Sequence, residues 1–121
     1  MPEIKPRDVE KLNLRIGKIK AVKQHPQTQD YSVLMYLGPV GRPQQVVVDL
    51  HESYQMNVLM GKQVIYLQNL EPVIVQGIES QGLILITHLK GKPVLLQPEK
   101  KVYTGVKVVG LNNVEVGYEG K

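Results

Sequence analysis

Five basic side chains and no acidic one occupy the segment KLNLRIGKIKAVK at residues 11–23. They are Lys11, Arg15, Lys18, Lys20 and Lys23. Such clusters bind phosphate groups, and phosphate neutralisation dominates the affinity of proteins for nucleic acids. Exposed lysines also cover many strands that bind nothing, so a solvated strand face is the competing interpretation. A second basic set, near the C-terminal third, comprises Lys90, Lys92, Lys100 and Lys101.

A polar stretch interrupts an apolar, strand-forming run further along the chain. The sequence QNLEPVIVQGIESQGLILI, residues 68–86, carries Gly-Ile-Glu-Ser-Gln-Gly at positions 77–82. The glycines free the backbone, while Ser80 and Gln81 offer hydrogen-bonding groups that suit phosphate, ribose or base edges. The same side chains can instead fold a loop through hydrogen bonds to the backbone. Residues 77–82 are a second candidate site, with both interpretations open.

The sequence lacks the usual catalytic and metal-binding patterns. The chain has no cysteine, so it has neither a thiol nucleophile nor the ligands of a zinc ribbon. Residues 77–82 are not a Gly-x-Ser-x-Gly nucleophile elbow, because the first glycine lies one residue too far from the serine and no helix follows. The stretch GPVGRP lacks the Lys-Ser or Lys-Thr end of a P-loop, although Arg42 within it can reach a phosphate. Since His25, His51 and His88 are too scattered for a metal site, we expect no metal, no cofactor and no enzymatic activity.

Length and composition favour a single β-rich domain over residues 1–121. The apolar residues are mainly valine, leucine and isoleucine, with six tyrosines and neither phenylalanine nor tryptophan, which favours sheet over helix. The formal net charge of +4 permits nucleic-acid binding without requiring it. The N-terminus is charged and no apolar run reaches about 18 residues, so we expect a cytoplasmic protein without membrane contact.

The first strand has to position the basic residues. Residues 12–22 alternate apolar and polar side chains, and their inward parity shifts at Gly17, which predicts a β-bulge there. A bulged strand bends sharply and suits a small barrel. With the bulge at Gly17, Arg15, Lys18 and Lys20 all point away from the apolar face and gather on one exposed surface.

The remaining pattern predicts a small all-β barrel with a short helix in its middle. The predicted elements are a helical turn at 6–12, strands at 12–22, 31–38 and 45–50, a helix at 54–61, strands at 63–70 and 82–89, and short strands after 92 with turns at 98–105 and Asn112-Asn113. Three strands, a helix and two further strands is the order of the five-stranded oligonucleotide-binding (OB) barrel, whose helix lies between strands three and four. A plain antiparallel sandwich is the alternative.

Two segments, KLNLRIGKI and LQNLEPVIVQGIESQGLILIT, resemble the tRNA-binding domain appended to methionyl-tRNA synthetases. The same module occurs in endothelial monocyte-activating polypeptides and in small free-standing tRNA-binding proteins. The positions that carry the resemblance are Leu14–Ile19, Asn69-Leu70, Pro72 and Gly77–Gly82. The closing segment PVLLQPEKKVYTGVKV is also similar, so the resemblance runs from about Val9 to Val108.

The resemblance implies a non-catalytic, structure-specific tRNA-binding protein with an OB barrel, in which residues 77–82 form a rim loop. Such a protein acts free-standing or as a trans-acting subunit of methionyl-tRNA synthetase, and its relatives pair as homodimers through segments that flank the barrel. We therefore expect tRNA, an aminoacyl-tRNA synthetase and a second copy of the chain as partners. The expected RNA-binding residues are Arg15, Lys18 and Lys20 on phosphates, Arg42 from the hairpin, and Asn69, Ser80 and Gln81 through directed hydrogen bonds.

The sequence departs from the family where a basic segment is expected. The family's Lys-Pro-Ala-Lys-Met-Arg is here Glu71–Gln76, EPVIVQ, so three positive positions become acidic, apolar and neutral. Strand three has Val48-Asp49 where relatives carry Ser-Gly. The same family contains a dimeric, export-chaperone-like branch that binds polypeptide, and this branch is the alternative function. An apolar groove in place of a basic one would favour it.

Overall fold

Short apolar segments separated by turn residues give a structure built mainly from strands. The computed structural model describes residues 1–111, and the turn predicted at Asn112-Asn113 lies outside them. In chain order the elements are α1 (Pro6–Glu10), β1 (Leu14–Gln24), β2 (Tyr31–Tyr36), a 3₁₀ turn (Gly38–Val40), β3 (Gln44–Val48), α2 (Met56–Leu59), β4 (Gln63–Leu67), β5 (Val73–Val75), β6 (Ile78–Ser80), β7 (Leu83–Ile84), β8 (Ile86–Leu89) and β9 (Lys92–Leu95). No helix within residues 1–111 is long and apolar enough to cross a membrane. The predicted all-β class and the helix between the third and fourth strands are confirmed.

One antiparallel sheet, in the order β3-β2-β1-β4-β7, curls into a nearly closed barrel. The long strand β1 allows this closure because its two halves pair with different strands. Its first half, Leu14–Lys18, pairs with β4, and its second half, from Lys18 to Gln24, pairs with β2. The five-stranded OB-like barrel predicted from the strand order is therefore confirmed.

The bulge in β1 lies later than the sequence predicted. Gly17 pairs regularly with Val64, whereas the register shifts between Ile19 and Ala21. The prediction was wrong because Ile16 is buried for a separate reason. Its side chain is buried outside the core cluster, and its backbone pairs at the strand edge with residues 105 and 106 of the C-terminal segment. A strand that is buried on both faces gives the same sequence pattern as a change of parity.

Gly17 is required by close packing. A Cβ atom at this position would lie 2.6 Å from the sulfur of Met35, which is fully buried. Protein interiors are packed too densely to yield such space without cost.

The core is mostly aliphatic, as the composition predicted, but Tyr66 lies at its centre. Its ring is fully buried, and its hydroxyl donates a hydrogen bond of 2.6 Å to Gln44 Oε1. The same hydroxyl accepts a 3.3 Å bond from the Gly82 amide. Burial raises the pKa of the Tyr66 phenol well above its ordinary value, because the charged form would be desolvated. The remaining buried cluster includes Ile19, Val33, Met35, Leu37, Val46, Leu50, Leu59, Val64, Ile84 and Leu95.

The barrel closes between β3 and residues 79–81, a junction that we call the seam. There, hydrogen bonds between side chains and the backbone join the two segments. The Val47 amide donates to Ser80 Oγ (2.9 Å), and the Gln45 amide donates to Gln81 Oε1 (2.8 Å). In return, the Gln81 amide donates to the Gln45 carbonyl (2.7 Å). Gln45 Nε2 adds a bond to the Glu79 carbonyl (2.9 Å). The end of β6 and Gln81 therefore close the barrel. The single strand predicted at 82–89 is divided in the structure into β7 and β8.

Two hairpins accompany the barrel. β5 and β6 form one, so the predicted rim loop is largely a β-hairpin, and β8 and β9 form the other. Beyond β9, the C-terminal segment lies along the first half of β1, with an isolated bridge between Arg15 and Lys107. The predicted short strands after residue 92 are thus represented by β9 and this bridge.

Candidate functional site

Four lysines line a single cleft of about 320 Å³ on the outside of the barrel. They are Lys18, Lys62, Lys100 and Lys101, and we call this feature the lysine cleft. The other lining residues are Gly61, Gln63, Gln97, Pro98 and Glu99, so one carboxylate accompanies four ammonium groups. A concave surface with this excess of positive charge attracts anions.

The centre of the lysine cleft is fixed by the sheet. Lys18 lies where the two halves of β1 meet, directly opposite Gln63 of β4 and Tyr36 of β2. Cross-strand partners share a face, so these three side chains form one row. Lys62 is held beside them, because the Ile19 amide donates to its carbonyl (2.9 Å) and the Gly61 amide donates to the Ile19 carbonyl (2.8 Å).

A buried glutamine holds the other wall. Gln63 Nε2 donates to the Val102 carbonyl (2.6 Å), and the Val102 amide donates to Gln63 Oε1 (3.1 Å). A third bond joins Gln63 Nε2 to Thr104 Oγ1 (3.2 Å). The side-chain amide thereby clamps the segment that follows Lys100 and Lys101 and keeps these lysines facing β1.

The four ammonium groups of the lysine cleft form no salt bridge within residues 1–111, where no carboxylate oxygen lies within 4.0 Å of any of them. The ion pair observed there is Lys11–Asp8, and the His51 ring lies within 4.0 Å of the Asp49 and Glu52 carboxylates. The cleft is therefore available for an anionic partner.

The structure divides the predicted basic face of β1. Lys20 is the extra residue of the bulge, and its ammonium lies 5.2 Å from the centre of the Tyr36 ring, a cation–π distance. Tyr36 in turn faces Lys18, so these two lysines share a surface. Arg15 differs, because its Nε donates to Asn13 Oδ1 (2.9 Å) and its Nη1 to the Gly105 carbonyl (3.1 Å). The prediction that all three cations line one face is wrong for Arg15, because the unbroken register of β1 with β4 places residues 15 and 18 on opposite faces.

The other predicted binding residues lie elsewhere. Asn69 secures the start of β1, with Oδ1 accepting from the Asn13 amide (2.9 Å) and Nδ2 donating to the Lys11 carbonyl (2.7 Å). Ser80 and Gln81 belong to the seam, which joins the ends of the sheet order, whereas β1 is its middle strand. Arg42 is exposed in the loop before β3. The lysines and the amide-bearing side chains therefore do not form one cradle.

Sequence reasoning did not assign Lys62, Lys100 and Lys101 to a site. The only available signal was the second basic set, which the structure splits. Lys100 and Lys101 enter the lysine cleft, while Lys90 and Lys92 lie on the β8–β9 hairpin. Proximity to Lys18 depends on the clamp by Gln63, which joins residues 39 positions apart.

An apolar groove of about 520 Å³ lies on another part of the surface. Its walls come from β3, the β5–β6 hairpin and the region of β8 and β9, with Val48, Val73 and Ile86 among its lining residues. The segment EPVIVQ supplies part of it through Val73 and Val75, and Val73 is 56% exposed. The segment that the resemblance predicts to be basic therefore contributes an apolar surface.

A carboxylate–imidazole group is the candidate metal ligand set within residues 1–111. Asp30, Asp49 and His51 place one ligand atom each within 4.8 Å of one another. Asp30 precedes β2 and Asp49 follows β3, so strand pairing brings them together. Histidine spacing alone could not reveal this group. Its His51 Nδ1 is engaged with Asp49 Oδ1 at 3.0 Å, and the Asp49 side chain is largely exposed.

Replacing Ser80 with alanine tests whether the seam is structural. We expect the free energy of unfolding to fall by about 1–3 kcal/mol, because the Val47 amide loses its acceptor. Urea unfolding measures this loss. Ser53→Ala is the matched control, since the Ser53 hydroxyl is buried without a hydrogen-bond partner in the described part of the chain, and its removal should cost little. Unchanged stability together with weaker RNA binding would show instead that Ser80 contacts the ligand.

Comparisons with known proteins agree on one family. The family model described as "Putative tRNA binding domain" matches residues 14–107. The methionine–tRNA ligase of Archaeoglobus fulgidus is 39% identical over 107 residues, which span 88% of this chain but 16% of that relative. Chaperone CsaA from Bacillus anthracis superposes with a TM-score of 0.79 at 27% identity, covering 89% of this chain and all of that one. A MetRS-related protein from Pyrococcus horikoshii shares the fold, with a TM-score of 0.81, 22% identity and coverage of 90% and 100%.

Proposed function

The chain belongs to the tRNA-binding domain family, and on that premise we propose that it is a non-catalytic protein that binds folded tRNA through the lysine cleft. The observation that carries this proposal is the gathering of Lys18, Lys62, Lys100 and Lys101 around one concavity. An ammonium group is a compact point charge that suits phosphate oxygens. Contacts to phosphates fix the position and orientation of the protein on the RNA, but they do not distinguish one base sequence from another. Recognition would therefore follow the shape of the RNA backbone.

The predicted residues take two roles in this proposal. Lys20 extends the cationic surface beyond the lysine cleft and contacts phosphates, whereas Arg42 contacts a phosphate from its separate loop before β3. Arg15, Asn69, Ser80 and Gln81 act as positioning residues, because each is engaged in hydrogen bonds within the fold. Their loss would alter the barrel first and RNA binding only through the barrel.

The proposed partners are a methionyl-tRNA synthetase and a second copy of the chain. The proposed location is the cytoplasm. The matched relative is a methionine–tRNA ligase, and this domain would act within such an enzyme or in trans as its tRNA-binding subunit. Exposed apolar residues of the flanking segments support a homodimer. Leu12, beside α1, and Val109, in the C-terminal segment, line a cavity of about 230 Å³, and both are exposed large hydrophobic residues.

The function is tested by titrating mixed tRNA with the protein at two salt concentrations and measuring retardation in a gel. Binding that weakens steeply between about 50 and 200 mM salt supports phosphate neutralisation. No retardation at low salt with micromolar protein would exclude tRNA as the ligand.

Replacing Glu99 with glutamine should tighten tRNA binding by about two- to fivefold at low salt, because it removes the one carboxylate of the lysine cleft. The dissociation constant from the same titration measures the effect. Glu71→Gln provides a control with the same change in net charge at an exposed position outside the cleft. Equal tightening by both variants would mean that total charge matters and that the cleft does not.

A polypeptide-binding module is the second candidate, favoured by the apolar groove. Two of its lining valines, Val73 and Val75, lie in the segment where the resemblance predicts basic residues. The neighbour from Bacillus anthracis is itself a chaperone by name. Binding of an extended apolar peptide that is lost in Val73→Asp, together with an absence of tRNA retardation, would establish this function instead.

A further inference from the structure

We propose that an aromatic cavity beside the lysine cleft binds one unpaired nucleobase of the RNA. This inference rests on the proposed tRNA-binding function and adds to it the part of the RNA that is recognised. The cavity has a volume of about 450 Å³ and lies between the 3₁₀ turn and the C-terminal segment. Its lining includes Tyr36, Gly38, Tyr103, Thr104 and Gly105.

Two phenol rings give the aromatic cavity its chemistry. Tyr103 is 88% exposed, and Tyr36 is 37% exposed with the Lys20 ammonium 5.2 Å from its ring centre. A solvent-exposed aromatic ring offers a face on which a base can stack. A cation beside the ring can bind the phosphate of the same nucleotide. The ligand class that combines a flat π-face with a negative charge is a nucleotide.

The floor of the cavity is built from close backbone contacts. A Cβ atom at Gly38 would collide with the Thr104 carbonyl, and one at Gly105 would collide with the Leu37 carbonyl. Both glycines also have positive φ angles, of 66° and 94°. The two chain segments therefore meet at a distance that only glycine permits, so the cavity is formed before any ligand arrives.

The aromatic cavity and the lysine cleft are parts of one surface. Lys18 of the cleft lies directly opposite Tyr36 of the cavity in the β1–β2 ladder. On the other wall, the Gln63 clamp on Val102 separates Lys101, which faces the cleft, from Tyr103, which faces the cavity. One RNA strand can therefore place successive phosphates on the lysines and a neighbouring base on the tyrosines.

The base has to be unpaired. Bases inside a duplex are stacked on both faces, so their π-faces cannot reach a side chain. The proposed ligand is thus a loop or an end of the folded RNA, and a duplex should use the lysine cleft without the aromatic cavity.

The test compares single-stranded hexaadenylate with a duplex RNA of six base pairs. Tyr103→Ala should weaken hexaadenylate binding by roughly 5- to 150-fold, the range expected for one lost stacking partner, and leave duplex binding unchanged. Tyr103→Phe is the matched control and should bind both as the unmodified protein does, because it keeps the ring. Since the chain has no tryptophan, Tyr103→Trp provides a unique fluorophore whose emission should be quenched by hexaadenylate and not by inorganic tripolyphosphate.

Equal hexaadenylate affinity of Tyr103→Ala and the unmodified protein would overturn the inference, as would unquenched emission from the Tyr103→Trp variant at saturation. A weakening that accompanies a change from dimer to monomer in light scattering would also overturn it, because Tyr103 would then be a contact between copies. Salt-sensitive tRNA binding that survives Tyr103→Ala leaves the proposed function standing while this inference fails. Absence of any tRNA binding by the unmodified protein removes the proposed function itself.

Discussion

Simultaneous replacement of Lys18, Lys62, Lys100 and Lys101 by alanine is expected to weaken tRNA binding by roughly 100-fold or more at low salt. The reason is additive loss of phosphate contacts, since each ammonium lines the same cleft and none is paired with a carboxylate in residues 1–111. All four side chains lie outside the buried core, so the fold should persist, and gel retardation measures the dissociation constant directly.

The control for this variant removes the same charge from other places. Lys5, Lys23, Lys90 and Lys92 are exposed and outside the lysine cleft. Replacing these four by alanine gives an equal change in net charge, and we expect a loss of affinity of only about threefold, from weaker long-range attraction. Comparable losses in both quadruple variants would contradict a local site.

Replacing Gly82 with valine is expected to destabilise the barrel by about 4 kcal/mol or more. A Cβ atom at this position would collide with the Tyr66 hydroxyl and lie 2.7 Å from the Leu67 carbonyl oxygen. The substitution would also displace the Gly82 amide from the buried Tyr66 hydroxyl, with which it forms a hydrogen bond. Steric overlap and a broken hydrogen bond therefore act together, at the point where the seam enters β7.

Urea unfolding followed by circular dichroism measures the effect of Gly82→Val. Gly110→Ala is the matched control, because no atom of residues 1–111 lies within 4 Å of a Cβ built there. We expect the control to change the free energy of unfolding by less than about 0.5 kcal/mol. A folded Gly82→Val variant with nearly unchanged stability would show that Tyr66 does not hold the closing segment in place.

Local patterns in the sequence predicted the elements of the barrel but not its closure. Alternation and turn residues locate β2, β3 and β4, and Gly61 marks the end of the helical region before β4. The seam could not be predicted in this way, because it depends on hydrogen bonds between side chains and the backbone of a distant strand. Nothing local reveals that Ser80 and Gln81 will meet amides of β3 that lie 33 and 36 positions earlier in the chain.

The first strand shows a second limit of sequence patterns. Its alternation predicts one buried face with a bulge at Gly17, whereas the structure buries Gly17 and Ile16 on opposite faces. Residues 105–108, which are remote in the chain, pair with one edge of this half of β1. A parity shift in the sequence cannot distinguish a bulge from a strand that is buried on both faces.

The candidate site was predicted only in part for the same reason. Lys18 and Lys20 stand out because they lie in a local run without acids. Lys62 is isolated in sequence, and Lys100 and Lys101 belong to a set whose other members lie on the β8–β9 hairpin. Their assembly depends on the buried Gln63 amide, whose role as a clamp is visible only in three dimensions.

The salt dependence of tRNA binding tests the central claim most directly. The slope of the logarithm of the association constant against the logarithm of the salt concentration reports how many phosphates the protein neutralises. Removing the four lysines of the cleft should reduce that slope by about three to four. Parallel lines for the unmodified protein and the quadruple variant would contradict the claim that this cleft holds the RNA.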